Sequence, residues 1–297
     1  MQLQKATRKQ SRIKLSLSGS SGAGKTYSAL LLAYGLCNNW SKIAVIDSEN
    51  YSASMYSHLG PYQVANLAAP FTPESYIEAI KLCERSGIEV IIIDSASHEW
   101  NGKGGCLELH EKETARMKIP NSFTAWAAIT PRHQAFIDEI IQSSLHIICC
   151  VRSKTEYIMT EKNGKQVPQK VGMAPITRDG FEFEVSIHFE IDQHHKAFCS
   201  KDRTGLFMDK DPLVISPNTG KQILEWCNAG DKLTADEVIQ RITNCKNLQE
   251  LLDIYKEFPQ FKQSLLPEFE QRKRQLIINN AVTTQLANQK TNSNGTH

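Results

Sequence analysis

Short apolar runs along the chain alternate with stretches in which apolar residues recur at helical spacing. Runs of this length, bounded by polar or glycine-rich breaks, are typical of buried strands. The predicted strands cover residues 13–18, 42–47, 90–94 and 146–151. Helical spacing marks residues 27–34 and 73–86, the second opened by Pro73 and Glu74. Strands that alternate with helices in this way predict an α/β fold with a doubly wound, mostly parallel sheet.

The pattern changes after residue 152, where two short strand-like segments flank Asn163-Gly164. An Asn-Gly pair in this setting is a strong signal for a β-hairpin, so we expect a hairpin that projects from the sheet. Residues 181–192 then alternate apolar and polar side chains, as a half-exposed strand does. This alternation predicts that the sheet ends in an antiparallel portion.

Composition divides the chain into four predicted segments. Residues 1–12 form a basic N-terminal arm, and residues 13–229 form the α/β core. Residues 230–280 carry apolar side chains at helical spacing, which predicts a small helical domain. Residues 281–297 are rich in Asn, Gln and Thr and poor in apolar residues, which predicts a disordered tail.

Charge and composition exclude several classes of protein. The 297 residues carry 34 Lys and Arg against 32 Asp and Glu, a net charge of +2, and 40% of them are hydrophobic. These values exclude a disordered, collagen-like or strongly basic chain. No apolar run approaches the roughly 18 residues that a membrane helix needs, and the basic N-terminus is not followed by the apolar core of a secretory signal. We therefore expect a cytoplasmic protein with no membrane partner.

The eight cysteines give no support for a disulfide framework or a transition-metal site. None belongs to a Cys-x-x-Cys pair. Cys149-Cys150 lies in an apolar run, which predicts a packed strand in a reducing compartment. His194-His195 has no Cys or His partner at ligand spacing.

One motif, between the first predicted strand and the first predicted helix, carries chemistry. It fits G-x-x-x-x-G-K-[ST] and reads Gly19-Ser20-Ser21-Gly22-Ala23-Gly24-Lys25-Thr26. Glycines allow backbone N–H groups to curl around phosphates, and the N-terminus of the following helix favours an anion. Lys25 is expected to reach the β- and γ-phosphates, and the Thr26 hydroxyl to bind Mg²⁺. The predicted nucleotide site consists of these eight residues and Tyr27.

Acidic residues at the ends of two predicted strands complete this site. Asp94 follows four aliphatic residues and is predicted to hold Mg²⁺, directly or through water. Two glutamates compete for the role of orienting the attacking water. Glu49 follows the second strand, at the carboxyl end where ligands of open α/β sheets gather, and Glu99 lies five residues beyond Asp94. A loop position without a catalytic role is the alternative for each glutamate.

The segment Val45-Ile46-Asp47-Ser48-Glu49, followed by Tyr56, Leu59 and Gly60, resembles the core of RecA-type recombinases. This resemblance implies that Glu49 activates water and that Tyr56 stacks on adenine. The segment Ile91-Ile92-Ile93-Asp94-Ser95 is similar to the strand that holds magnesium in that family.

The resemblance extends over about residues 11–210 and, more narrowly, looks like the short phage and prophage ATPases of the Sak single-strand-annealing group. It implies Mg-ATP as the cofactor and an ATPase with Lys25, Glu49 and Asp94 as catalytic residues. It also implies that subunits share the nucleotide site in a ring or filament.

Cations mark the departures from the recombinase pattern. Where those proteins have a glutamine that senses the γ-phosphate, this chain has Arg152, which takes either that role or a surface position. Arg178, Lys201 and Arg203 lie near the last predicted strands. A finger that reaches the nucleotide of a neighbouring subunit would come from this region, and an ordinary solvated charge is the alternative for each residue.

The distribution of charge, rather than its total, points to nucleic acid. Residues 152–178 have a local charge of +4, and in RecA-like proteins this position holds a DNA-contacting loop. We predict that lysines here contact the phosphates of single-stranded DNA and that a tyrosine stacks on a base. The predicted contacts are Lys154, Tyr157, Lys162, Lys165 and Lys170. A solvated basic hairpin is the alternative, and the flexible aromatic and basic loop at residues 100–105 is a second candidate or a cap on the nucleotide site.

These patterns predict a RecA-like protein that binds and hydrolyses ATP and acts on single-stranded DNA in phage-type recombination or strand annealing. The alternative is a nucleotide-switched loader or regulatory module that meets replication, recombination or defence proteins through residues 230–280. A small-molecule kinase fits less well, because the predicted hairpin is rich in lysine rather than arginine.

Overall fold

A mostly parallel sheet with helices on both faces forms the larger of two units in the computed structural model. These units comprise residues 1–230 and 231–297. The structure describes residues 11–162, 165–229, 235–258 and 261–278, with the side chains of 155–173 left out. Within these residues, no helix is long and apolar enough to cross a membrane.

The sheet of the first unit confirms the predicted fold class. Its strands are β1 Lys14–Gly19, β2 Ile43–Asp47, β3 Gln63–Asn66, β4 Val90–Asp94, β5 His146–Lys162, β6 Lys165–Pro175, β7 Ile187–Ile191 and β8 Ala197–Asp202. Their order is β3-β2-β4-β5-β1-β7-β8, and β6 pairs with β5. Neighbours from β3 to β7 are parallel, whereas β7 with β8 and β5 with β6 are antiparallel. The turn predicted at Asn163-Gly164 lies outside the described residues.

Helices cover both faces of this sheet. They are α1 Lys25–Cys37, α2 Pro73–Arg85, α3 Ser97–Asn101, α4 Cys106–Arg116, α5 Ser122–Gln142, α6 Phe181–Glu184 and α7 Pro217–Asn228. Two short 3-10 helices, Trp40–Lys42 and Ser52–Leu59, flank β2. Since parallel strands need crossover connections, this arrangement places the strands between two layers of helix.

Alternation along the central strands divides the core into two layers. Ile92 of β4 and Leu17 of β1 face Leu30 of α1, whereas Ile93 of β4 faces Phe136 of α5. Successive side chains of a strand point to opposite faces. Because both faces are covered, β4 is buried along its whole length and reads as an unbroken apolar run.

Helices α1 and α7 approach each other at a pair of glycines. A Cβ at Gly35 would lie 2.0 Å from the carbonyl oxygen of Pro217 and 2.9 Å from the Cα of Gly220. Side chains larger than hydrogen would therefore force the two helices apart. This contact holds the segment before α7 close to α1, the helix that follows the glycine motif.

Two local predictions differ from the structure in part. The strand predicted over 181–192 is wrong in its first half, where Gly180, at φ 91°, leads into the single turn of α6. The loop predicted at 100–105 is found over 102–105, whereas residues 100 and 101 end α3 and the Trp100 ring stacks on Trp126 of α5. Strand β3 was not predicted, because it is a partly exposed edge strand with no strong apolar pattern.

The second unit is helical in its described part. It contains α8 Ala235–Asn244, α9 Leu248–Glu257 and a helical stretch over 266–278. Buried apolar side chains from all of these form its core, among them Val238, Ile242, Leu251 and Phe269. The apolar spacing of this region, with a period close to that of a helix, is the pattern that such packing produces.

Candidate nucleotide site

The glycine motif forms the turn between β1 and α1. Gly22 and Gly24 have φ angles of 82° and 89°, in the left-handed region that glycine adopts without steric cost. The Nζ of Lys25 is buried and donates hydrogen bonds to the carbonyl oxygens of Gly19, at 3.0 Å, and Ser20, at 2.9 Å. The loop thus has the curvature, the helix N-terminus and the lysine that a phosphate-binding loop needs.

Thr26 and Asp94 meet across the edge of the sheet. The Thr26 hydroxyl donates a hydrogen bond to Oδ2 of Asp94, at 2.6 Å, and Asp94 is 1% exposed. Burial raises the pKa of Asp94 to about 6, although the Thr26 hydrogen bond opposes the shift. A hydroxyl and a carboxylate oxygen this close to the phosphate-binding loop are the hard ligands that Mg²⁺ prefers. Thr26 and Asp94 therefore fit a Mg²⁺ ion, which they would hold beside the phosphate-binding loop.

Sheet register places Glu49 and Arg152 at the same edge. Asp47 pairs with Asp94 at the ends of β2 and β4, and Gly19 pairs with Arg152 across β1 and β5. Nε of Arg152 donates a hydrogen bond to Oε1 of Glu49, at 2.7 Å. Burial alone would raise the pKa of Glu49, but the bond and charge of Arg152, with smaller contributions from neighbouring cations, lower it below the usual range. Glu49 is therefore ionised at neutral pH.

The buried Asp47 shapes the loop that presents Glu49. Its Oδ1 accepts a hydrogen bond from the backbone N–H of Glu49, at 2.7 Å, and its Oδ2 accepts one from Ala53, at 2.9 Å. The hydroxyl of Ser48 accepts a hydrogen bond from the backbone N–H of Ser95, at 3.0 Å. The Asp47 bonds shape the loop after β2, and the Ser48 bond joins this loop to the end of β4. Together these side-chain to backbone hydrogen bonds fix the position of Glu49 relative to Asp94.

A cleft of about 750 Å³ opens between these groups. Its polar lining includes the phosphate-binding loop with Lys25, Thr26, Glu49, Asp94 and Arg152. Its apolar and aromatic lining consists of Tyr27, Leu31, Met55, Tyr56, Val214 and Ile215. The rings of Tyr27 and Tyr56 lie 6.0 Å apart and are tilted by 56°. Polar groups for phosphates together with aromatic rings for a base suit a nucleoside triphosphate.

His195 lines the same cleft and was missed by sequence reasoning. It lies in the turn between β7 and β8, and its Nδ1 is 2.9 Å from the carbonyl oxygen of Ala23. A Cβ added at Gly24 would lie 3.0 Å from this nitrogen. The contact joins residues 172 positions apart, and no local pattern signals it. A turn from the antiparallel end of the sheet thus supports the phosphate-binding loop.

Glu99, the competing glutamate, does not line this cleft. It is 1% exposed, and its carboxylate contacts Nδ1 of His133, at 3.0 and 3.1 Å, and Sγ of Cys106, at 3.1 Å. These partners lie on α4 and α5 rather than at the phosphate-binding loop. Of the two glutamates, only Glu49 lines the cleft.

The remaining predicted cations lie at different places. Lys154 is exposed on β5. Arg178 is half-buried, and Lys201 and Arg203 on or next to β8 both donate to the carbonyl oxygen of Phe183 in α6. None of these four lines the nucleotide cleft. The other predicted DNA contacts, Tyr157, Lys162, Lys165 and Lys170, have side chains outside the described residues.

A phosphate-binding loop between β1 and α1, with an aspartate at the end of β4, defines the class as P-loop ATPases of the α/β type. The AAA domain family matches residues 11–204, about two thirds of the chain. The chain belongs to this family of ATPase domains.

No curated protein matches the chain. Among solved structures, the chain is similar to a KaiC-like protein from the hyperthermophilic archaeon Pyrococcus horikoshii OT3. That similarity has a TM-score of 0.37 and 14% identity, and it covers 69% of this chain and 87% of the other.

Proposed function

We propose that this protein is a Mg²⁺-dependent ATPase that uses ATP hydrolysis to act on single-stranded DNA. The observation that supports hydrolysis is the convergence of Lys25, Thr26, Asp94 and Glu49 on one cleft. Parallel strands end at a common edge, and this edge is where ligands of open α/β sheets bind. This convergence supports the proposal that one nucleotide meets all three predicted roles: binding of phosphate, binding of metal and orientation of water.

In the proposed mechanism, Lys25 exchanges its two carbonyl contacts for oxygens of the β- and γ-phosphates. Thr26 and Asp94 hold the metal, and the ionised Asp94 is the form that does so. When bound, Mg²⁺ neutralises charge that develops on the transferred phosphoryl group. Tyr56, with Tyr27 beside it, provides the aromatic surface on which adenine stacks.

Glu49 orients the attacking water by accepting a hydrogen bond that the water donates. An ionised carboxylate is the form that this role requires, and the Arg152 contact keeps Glu49 ionised. In the resting geometry the same contact occupies Oε1 of Glu49. Binding of the γ-phosphate near Arg152 therefore competes for the guanidinium and leaves Glu49 available to water.

The proposal for DNA rests on the place of Arg152 in the fold. Arg152 follows the buried part of β5, and the strand continues from there into the β5–β6 hairpin. Lys154, two residues further, is exposed, and residues 152–178 have a charge of +4. Contact of this hairpin with a DNA backbone would therefore act on the same strand that carries the partner of Glu49. We extend the proposal to phage-type recombination or strand annealing, with subunits joined in a ring or filament.

A second function, a nucleotide-switched module that binds protein partners, is favoured by one observation in the second unit. Leu248, Leu252 and Leu266 are exposed and line an apolar groove of about 420 Å³ with Tyr255 and Phe269. Such a groove suits an apolar helix or strand of a partner. Under this alternative, ATP turnover would be indifferent to DNA.

The test is ATP hydrolysis by the full chain with and without single-stranded DNA, across a series of salt concentrations. We expect hydrolysis that DNA stimulates and that is lost in Lys25→Ala, with Lys221→Ala on the exposed face of α7 as the matched control. DNA affinity should fall with salt, and Lys154→Ala should reduce the slope of log affinity against log salt by about 0.7, the value for one phosphate contact. Hydrolysis that ignores DNA, with no DNA binding at low salt, would contradict the DNA proposal and favour the second function.

A further inference from the structure

Three buried potential metal ligands of different chemistry meet among helices α3, α4 and α5. They are Glu99 of α3, Cys106 at the start of α4 and His133 of α5, and none is more than 4% exposed. One ligand atom from each lies within 4.8 Å of the other two. Oε1 of Glu99 is 3.1 Å from Sγ of Cys106, and Oε2 is 3.0 Å from Nδ1 of His133. We refer to these three residues as the buried triad.

A tight glycine-rich turn brings the cysteine back onto the glutamate. Gly104 has a φ of 79°, and its N–H donates to the carboxylate of Glu108. A Cβ at Gly105 would lie 2.6 Å from the carbonyl oxygen of Glu99, so a larger residue would push the turn away from α3. Cys106 follows Glu99 by seven positions in the chain, and the turn places their side chains in contact.

The distances suit coordination of a single ion. Zinc bonds of roughly 2.0–2.3 Å in a tetrahedral site place neighbouring donor atoms about 3.2–3.7 Å apart. Oε1 of Glu99 lies 3.1 Å from both Sγ of Cys106 and Nδ1 of His133, which is a few tenths of an ångström short of this spacing. A small outward movement of the side chains would make room for the ion.

We propose that Glu99, Cys106 and His133 form a buried Zn²⁺ site. The carboxylate and the thiolate together balance the charge of the ion, and the neutral imidazole is the third protein ligand. Water would complete the tetrahedron. None of the three residues lines the nucleotide cleft, so this site is independent of the proposed ATPase function.

Charge and proton balance distinguish the metal-bound site from a hydrogen-bonded one. Without metal, burial and the neighbouring Glu99 raise the pKa of Cys106, so the residue is a thiol that donates its hydrogen bond to the carboxylate. Zinc would replace that proton: the S–H bond breaks, a Zn–S bond forms and H⁺ leaves to solvent. Nδ1 of His133 would bind the ion through its lone pair, with any proton carried on Nε2.

A metal ion at this site would hold three helices together. Its ligands lie on three separate helices, and the Ser97 hydroxyl of α3 accepts a hydrogen bond from the backbone N–H of Arg152, at 2.9 Å. A metal at the triad would therefore fix α3, which lies between Asp94 and Arg152, against α4 and α5. We assign the ion a structural role.

Binding of Co²⁺ and Zn²⁺ to the full chain tests the proposal. After dialysis against a chelator, added Co²⁺ should give the near-ultraviolet band of a cobalt–thiolate bond and the strong visible bands of a tetrahedral site. Binding of either metal to the metal-free chain should release protons. One equivalent of Zn²⁺ should then abolish the cobalt bands by displacing Co²⁺. The Trp100 ring lies 5.3 Å from the His133 ring, so Co²⁺ should also quench tryptophan fluorescence and Zn²⁺ should restore it.

Matched cysteine variants locate the ligand. Cys106→Ser should weaken Zn²⁺ binding by more than the roughly 10–100-fold that loss of an outer-shell partner costs. Cys83→Ser, at a buried cysteine of α2, and Cys37→Ser, at the half-buried cysteine of α1, should bind Zn²⁺ as the natural chain does. Equal binding by Cys106→Ser, or equal loss in either control, would overturn the proposal.

X-ray absorption of the zinc-loaded natural chain keeps the test independent of how a variant folds. The expected first shell has sulfur at about 2.3 Å and nitrogen or oxygen at about 2.0–2.1 Å. A first shell of nitrogen and oxygen alone, or a natural chain that retains no zinc and gives no cobalt–thiolate band, would overturn the proposal. In that case the buried triad is a set of hydrogen bonds only.

Discussion

Strands β2 and β4 lie side by side and both end in an aspartate that is followed by a glutamate, yet the two glutamates have opposite environments. Glu49, two residues after Asp47, lines the nucleotide cleft and pairs with Arg152. Glu99, five residues after Asp94, is buried with a histidine and a cysteine. A short turn before the 3-10 helix Ser52–Leu59 presents the first to the cleft, whereas the short helix α3 carries the second to α4 and α5.

The role of a glutamate near the carboxyl edge of this sheet therefore depends on the loop or turn that carries it. The Asp47 carboxylate fixes the first loop by accepting backbone hydrogen bonds from Glu49 and Ala53. The turn after α3 fixes the second, with Gly105 packed on the carbonyl oxygen of Glu99. We expect substitution of Glu49 to act on chemistry and substitution of Glu99 to act on stability.

The largest expected effect on stability comes from Glu99→Ala. Removal of this carboxylate leaves the buried Cys106 and His133 without their shared partner, and each buried polar group left unsatisfied costs about 1–3 kcal/mol. Glu49→Ala removes a partly exposed ion pair with Arg152, which costs about 1 kcal/mol or less. Urea unfolding without nucleotide measures both, with Glu78→Ala on the exposed face of α2 as control. If Glu49→Ala and Glu99→Ala lowered the free energy of unfolding equally, the assignment of a structural role to Glu99 alone would be contradicted.

A somewhat smaller effect is expected from Asp94→Asn, and it depends on pH. Burial raises the pKa of Asp94 from 3.8 to about 6 in the folded chain, so the folded state binds a proton more tightly than the unfolded state. Its contribution to stability is therefore full below pH 3.8 and is lost as pH rises through 6. The penalty above pH 6 is up to about 3 kcal/mol.

Without nucleotide, Asp94→Asn should therefore be more stable than the natural chain at pH 7.5, and this difference should vanish near pH 4. Urea unfolding of both proteins at a series of pH values gives the difference directly. The buried His146 and His188 also affect acid stability, because burial lowers their pKa values to about 3 and about 4. They contribute equally to both proteins, so a difference that does not change with pH would contradict the assignment to Asp94.

The smallest effect on stability is expected from Arg152→Ala. The pair with Glu49 is partly exposed, and its loss should change the free energy of unfolding by about 1 kcal/mol or less. Burial would then raise the pKa of Glu49 without the hydrogen bond and charge of Arg152 to oppose it. We expect the pKa of Glu49 to rise in Arg152→Ala without nucleotide.

An NMR titration of the Glu49 carboxyl in the nucleotide-free chain checks this shift, with Arg85→Ala at the exposed end of α2 as the matched control. A Glu49 pKa that is unchanged in Arg152→Ala would show that the arginine does not set the ionisation of Glu49. The comparison between the two glutamates would then rest on position alone.

Much of this site could be predicted from local sequence. Gly19 to Thr26 form a contiguous motif, and the aliphatic runs that end in Asp47 and Asp94 are buried on both faces, which makes them readable as parallel strands. Glu49 follows such a run directly. Each of these features depends on residues close together in the chain.

The rest depends on contacts between distant residues. The environment of Glu99 is set by His133, 34 residues away, and by a glycine turn whose path the spacing alone does not define. His195 reaches Ala23 over 172 residues. The strand predicted over 181–186 was wrong for a different reason. A strand places residues i and i+2 on one face, whereas the single turn of α6 buries Phe181 and exposes Phe183.

Glu49→Gln gives the most direct test of the central claim that this cleft hydrolyses ATP with Glu49 as the water-orienting residue. ATP binding and Mg²⁺-dependent turnover should be measured on the same samples, with Glu78→Gln as control. We predict a loss in turnover of about 10²–10⁴-fold, the usual contribution of a positioned acid or base, with ATP affinity and unfolding temperature close to those of the natural chain. Turnover by Glu49→Gln equal to that of the natural chain would contradict the claim.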